Sequence, residues 1–204
     1  MTAGTAAMTV RLTLIAPAMN TALREARFDD GPLEPAGRAA AEAAAGALRP
    51  EGARVLVSPS VRCRETAQAL GLDGAAEPRA ALAGCAMGRW RGLRLDEVAA
   101  AEGPDLAAWL ADPATAPHGG ESLRALRERV GAWLEGLEPG WVIAVVEPDV
   151  LRAAVVHALA LDDAALWRLD PRPLSATHLT GRAARWNLRL GEPLTPGRAE
   201  DARR

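Results

Sequence analysis

The sequence contains no lysine, only two cysteines and only three histidines. All 24 basic residues are arginine, a bias that GC-rich coding explains without any partner. Cys63 and Cys85 are far apart and lack the histidine spacing of a zinc site, which excludes a disulfide scaffold and leaves two reduced thiols. His118, His157 and His178 have no mutual metal-ligand spacing, so neither a metal nor another cofactor is expected. No apolar run reaches membrane-spanning length, and Met1 to Thr9 has neither the basic flank nor the apolar centre of a signal peptide. A cytoplasmic protein without membrane contact is the expectation. Charge of one sign is also missing: a net charge of -2 and a pI near 6.0, with Arg and Asp/Glu interleaved, offer no basic field to a nucleic-acid backbone. There is no internal repeat and no dividing linker, so one domain is expected over residues 9–192, with flexible termini at 1–8 and 193–204.

What is present is an ordinary globular balance, 49% apolar and 25% charged over 204 residues, enough for one continuous core. Val10 to Ile15 and Trp141 to Val146 are unbroken apolar runs bounded by turn-formers, the pattern of strands buried on both faces of a parallel sheet. A shorter run, Arg54 to Val57, ends at Ser58-Pro59. Helical patterns lie between them at Pro35 to Leu48, Ser60 to Leu70 and Ser122 to Leu137, and another follows at Val150 to Leu159. Leu174 to Thr180 and Ala184 to Leu190 read as closing strands around Gly181. Glu77 to Pro117 carries two short helical patterns broken by Gly103-Pro104 and Asp112-Pro113, an excursion able to cover a pocket mouth. Strand alternating with helix predicts an α/β fold with a mostly parallel central sheet.

Ligands of such sheets bind beyond the carboxyl ends of the strands. Here those ends lead into Ala16-Pro17-Ala18, Ser58-Pro59-Ser60-Val61-Arg62 and Glu147-Pro148-Asp149. Five stretches, LTLIAPAMNT, LEPAGRAAAEAAAGAL, SPSVRCRETAQAL, GRWRG with GGESLRALRERV, and VIAVVEPDVLRAAVVHAL, follow one another in an order that resembles the histidine phosphatase superfamily, the phosphoglycerate-mutase-like proteins. The resemblance implies a three-layer α/β/α sandwich and makes a homodimer possible. It also implies specific departures. Where the family has Arg-His-Gly, with the His as nucleophile, this chain has Ala16-Pro17-Ala18. A second phosphate-binding Arg corresponds to Arg62. The family's general acid aligns near Gly84, and its second His, which binds the phosphoryl group in the transition state, falls at Glu147.

Neither Ala16 nor Pro17 can attack phosphorus, and a carboxylate at 147 would repel a phosphate oxygen about 4 Å away by about 4 kcal/mol at an effective dielectric of 20. An ion pair between Arg62 and Glu147 across the cleft is expected. Apart from the resemblance, Arg62 reads as a surface arginine at a helix start, and Gly119-Gly120-Glu121-Ser122 as a turn with a cap rather than a phosphate cradle. The six tryptophans read as packing residues. The leading expectation is a non-catalytic protein that binds a small molecule or a protein partner. The alternative is a phosphomonoesterase using Cys85, because Cys85 to Arg91 has the Cys-x5-Arg spacing of cysteine-dependent phosphatases.

Overall fold

A computed structural model of the chain describes residues 9–182 and 185–195. Strands β1 (Val10–Ile15), β2 (Ala53–Val57), β3 (Ala76–Pro78), β4 (Gly140–Val145), β5 (Ser175–Arg182) and β6 (Arg185–Pro193) form one sheet in the order β3-β2-β4-β1-β5-β6. β1 to β4 run parallel, β5 is antiparallel to β1, and β6 returns antiparallel to β5. The last four residues of β1 and of β4 are buried on both faces, which is why these strands appear in the sequence as continuous apolar runs rather than alternating ones.

Helices α2 (Pro35–Ala43) and α3 (Val61–Ala69) lie on one face, and α6 (Leu123–Glu135) and α7 (Pro148–Ala158) on the other, giving three layers. Successive residues of β4 serve opposite layers: Ile143 and Val145 pack with Cys63, Ala67 and Leu70, while Val142 and Ala144 pack with Leu126, Val130 and Val155. Each fully buried Leu or Val in these layers contributes about 1.5–3 kcal/mol.

Between β3 and α6 the chain leaves the sheet through α4 (Leu95–Ala101) and α5 (Gly103–Ala111). Phe28, Trp90, Trp109 and Trp167 hold this excursion: Trp90 and Trp109 meet edge-on at 5.8 Å, and Trp109 and Trp167 at 4.7 Å. Three of the six tryptophans, Trp90, Trp109 and Trp186, are buried, as packing residues should be. Ser122 caps α6 by accepting from Ala125 N, so the Gly-Gly-Glu-Ser segment is a helix start.

Several local expectations need correction. Gly181 is not the turn between the closing strands but lies inside the ladder opposite Trp186, whose ring would sit 2.4 Å from a Cβ there. The glycine is required by that close approach, not by a turn. The single-turn helix α1 (Thr21–Arg24) and the three-residue β3 have too few residues for periodicity to register; β3 exists because β2 supplies its partner, and its Pro78 is tolerated at a sheet edge. The pattern from Pro35 stops being helical at Ala43 rather than Leu48. β6 runs through Pro193, and Leu194 N donates to Leu174 O, so part of the segment expected to be a flexible tail is hydrogen-bonded. Residues 1–8 and 196–204, the rest of the expected flexible termini, lie outside the described residues.

Candidate functional site

The registers place three strand ends level, Ile15 and Val57 both opposite Val145. Ser58 N donates to Val145 O and Val146 N to Ile15 O, extending the ladder one step so that Ala16, Ser58 and Val146 open onto the same mouth. Ala16, Pro17 and Ala18 are buried. The two N–H groups of this segment are already committed, Ala16 N donating to Ser175 O at 3.0 Å and Ala18 N to Thr66 Oγ1 at 3.1 Å, while Pro17 has none.

From β2 the chain turns at Ser58-Pro59 into α3. Ser60 is its N-cap and accepts from Cys63 N, while the Asp30 carboxylate accepts from Val61 N at 2.6 Å and Arg62 N at 3.1 Å. Asp30 thus places a negative charge at the positive end of the helix, satisfying two of the amides an α-helix leaves unpaired. Arg62, 7% exposed, points into the mouth. Its Nη2 donates to the Glu147 carboxylate in a direct ion pair, and Nη1 lies 3.4 Å from Asn20 Oδ1. Burial pulls the guanidinium below its usual range, opposed by the nearby Asp149 and Asp30 carboxylates, and an arginine so placed remains charged.

Glu147 is the residue at which α7 begins, yet its side chain makes no cap to that helix. It reaches instead to the start of α3, where Oε1 accepts from Ser60 Oγ at 2.7 Å and lies 3.4 Å from Cys63 Sγ. Burial pushes the Cys63 thiol up to about 12, so it is a neutral thiol at neutral pH. The first turn of α7 is served by Pro148, which has no N–H, and by Asp149, whose Oδ1 accepts from Val150 N.

The excursion closes the other side. Gly84 lies against the two carboxylates: a Cβ there would be 3.3 Å from Glu147 Cγ and 3.5 Å from Asp149 Oδ2. Cys85 N donates to Asp149 Oδ2 at 2.6 Å. Arg129 ties this loop to α6 through Glu121, at 2.7 and 2.9 Å, and through the carbonyls of Ala81 and Ala83. Arg62, Glu147, Gly84 and the Ala16-Pro17 segment, singled out in the sequence, therefore border one mouth. Asp30 and Asn20 were missed, since both precede α3 by some forty or thirty residues and carry no local motif. Asp149, read as an ordinary cap residue, does cap but also anchors Cys85.

Cys85 is not arranged as a thiolate nucleophile. Its Sγ lies 3.1 Å from Glu121 O as a donor, and burial, Asp149 and Glu121 all push its thiol up. Arg91, the other end of the Cys-x5-Arg spacing, has a side chain 76% exposed and 3.8 Å from Asp29. The segment before Cys85 is a 3-10 turn, Ala80–Leu82, rather than a buried strand. Among the described residues no group of three or more His, Cys, Asp or Glu could hold a metal ion, and no helix is long and apolar enough to cross a membrane.

The ends of β1, β2 and β4 thus lie level at one mouth, flanked by the starts of α3 and α7. The family model for the histidine phosphatase superfamily (branch 1) matches residues 18–192, and the chain belongs to that superfamily. No curated protein matches the chain in sequence. Among solved structures, a mycobacterial glucosyl-3-phosphoglycerate phosphatase in complex with VO3 is 27% identical with a TM-score of 0.76, covering 88% of this chain and 97% of its own. A phosphoserine phosphatase mutant from Entamoeba histolytica bound to phosphoserine shares the fold at 16% identity and a TM-score of 0.80, over 91% of this chain and 98% of its own. The same holds for a putative alpha-ribazole-5'-P phosphatase from Escherichia coli, 19% identical with a TM-score of 0.78, covering 91% and 97%.

Proposed function

We propose that this chain is a member of its superfamily that does not transfer phosphoryl groups and acts by binding a small molecule or a protein partner at the mouth or its rim. The observation that carries the reading is the end of β1. Ala16, Pro17 and Ala18 stand there, buried, and none has a side-chain lone pair with which to attack phosphorus. By resemblance, this is where the family's nucleophile belongs, and the family match itself begins only at residue 18. Of the groups the resemblance assigns to phosphate, only Arg62 has a counterpart of the right charge, and Glu147 supplies the opposite sign.

The named relatives are phosphatases, and this is the support for an enzymatic reading. That reading needs a nucleophile from elsewhere. Cys85 is the candidate, and its thiol, pushed up by burial and directed at a carbonyl, together with the solvent-exposed side chain of Arg91, disfavours it. The deciding experiment incubates the purified protein with p-nitrophenyl phosphate, phosphoserine and a sugar phosphate, beside Cys85→Ser and Arg62→Ala. Release of phosphate at the buffer rate in all three proteins is expected. Turnover by the wild type that Cys85→Ser abolishes would establish the phosphatase instead, and a phosphorylated form of the chain trapped by mass spectrometry would do the same for another nucleophile.

A further inference from the structure

We infer that Glu147 is a built-in occupant of an oxyanion cradle at the start of α3, holding it shut against inorganic phosphate and similar tetrahedral oxyanions. The inference deepens the non-catalytic reading by specifying what the mouth excludes.

Three donors from a single helix start, Ser60 Oγ, Arg62 Nη2 and the Cys63 thiol, converge on the two oxygens of one carboxylate. A hydroxyl, a guanidinium and a third weak donor around a planar anion form the kind of donor set that also suits a tetrahedral oxyanion. The carboxylate arrives from an unexpected direction. Glu147 sits at the N-cap of α7, where a side chain ordinarily turns back to its own amides, and it crosses to α3 instead. The remaining anion-binding groups at this helix start are taken as well, the amides of Val61 and Arg62 by Asp30. Ser60 Oγ, Arg62 Nη2, the Cys63 thiol and the amides of Val61 and Arg62 therefore all meet a carboxylate from the same chain.

Gly84 completes the closure. Its Cα hydrogen faces Glu147 Cγ with room for little more, so the excursion lies directly on the carboxylate that fills the cradle. With Arg62 neutralised and Asp149 beside it, an incoming phosphate would meet surplus negative charge. Removing the Glu147 side chain deletes the repulsion and frees the Arg62, Ser60 and Cys63 donors together, with Gly84 leaving space beside them. An ion pair kept only for stability predicts something different: loss of Glu147 would weaken the fold and bring no new affinity.

The test measures thermal unfolding and calorimetric binding with inorganic phosphate and orthovanadate as probes, for wild type, Glu147→Ala, Glu147→Ser and Glu147→Ala combined with Arg62→Ala. The expected result is no response of the wild type to millimolar phosphate. Both single variants should bind phosphate at least about tenfold more tightly than the wild type, seen as a rise in melting temperature. The double variant should lose that gain. Equal phosphate response in wild type and single variants, or a gain that survives removal of Arg62, would overturn the inference. A wild-type readout needs no variant: the Arg62 side-chain Nε resonance should stay in place as phosphate is added, and a shift would mean that phosphate displaces Glu147. None of these outcomes depends on turnover, so failure here leaves the non-catalytic reading standing, and phosphatase activity would refute that reading separately.

Discussion

The two helices that begin at the mouth start in opposite ways. α3 is capped by its own Ser60 and by Asp30 from a distant loop, and sends a cation, Arg62, into the cleft. α7 begins at Glu147, which leaves its own amides to Pro148 and Asp149 and sends an anion toward α3. Two helix N-termini facing one cleft would ordinarily both favour an external anion. Here one is satisfied internally and the other exports the anion that fills the first. The positive end of α3 and the Arg62 guanidinium are thus met by carboxylates of the same chain.

The largest effect is expected at the cation of α3. Arg62→Ala leaves Glu147 facing Ser60 and Asp149 without a counter-charge in a largely buried place, and a loss of about 3–5 kcal/mol is expected in urea unfolding. A loss under 1 kcal/mol would mean the pair is hydrated and contributes little. Next in size is Gly84→Asp, which places a carboxylic acid near where the resemblance puts the family's general acid. Its Cβ would stand 3.3 Å from Glu147 Cγ, and its charge would face two carboxylates, so about 2–3 kcal/mol of destabilisation is expected, partly relieved in combination with Glu147→Ala. Thermal melts of the single and double variants measure that relief.

Smaller effects sharpen the contrast between the two helix starts. Asp30→Ala should cost about 1 kcal/mol, the usual worth of a cap, while Ser60→Ala should cost somewhat more because its hydroxyl serves both Cys63 N and Glu147. Equal losses would argue that the Ser60 to Glu147 contact is energetically silent.

The smallest expected effect lies in the excursion. His118, packed on Trp90 and accepting from Gly120 N, is held by burial below its ordinary value of 6.5. The unfolded chain then binds the proton more readily than the folded one. Stability is fully present above about 6.5 and declines as pH falls below it toward the folded-state value. His118→Gln should flatten that part of the profile of melting temperature against pH, and an unchanged slope would assign it to other groups.

Much of the scaffold was legible in the chain. Strands buried on both faces leave unbroken apolar runs, and helix starts after Ser58-Pro59 and Glu147-Pro148 show in the proline positions, so β1, β2, β4, α3 and α7 could be placed within a residue or two. Gly181 was misplaced because a glycine forced by an overlying Trp186 ring has the same letter as one forced by a turn. Asp30 was invisible because its cap is made to a helix some thirty residues further on.

Which chemistry can stand at the mouth follows from residue order alone: side-chain composition decides whether a lone pair or a charge exists, and Ala16, Pro17, Arg62 and Glu147 are facts of order along the chain. How those charges are paired follows from the fold. The Arg62 to Glu147 contact joins residues 85 positions apart, and it forms because parallel pairing through β4 brings the ends of β1, β2 and β4 level and lays Gly84 over them. A local pattern carries no information about a distance that the sheet register sets.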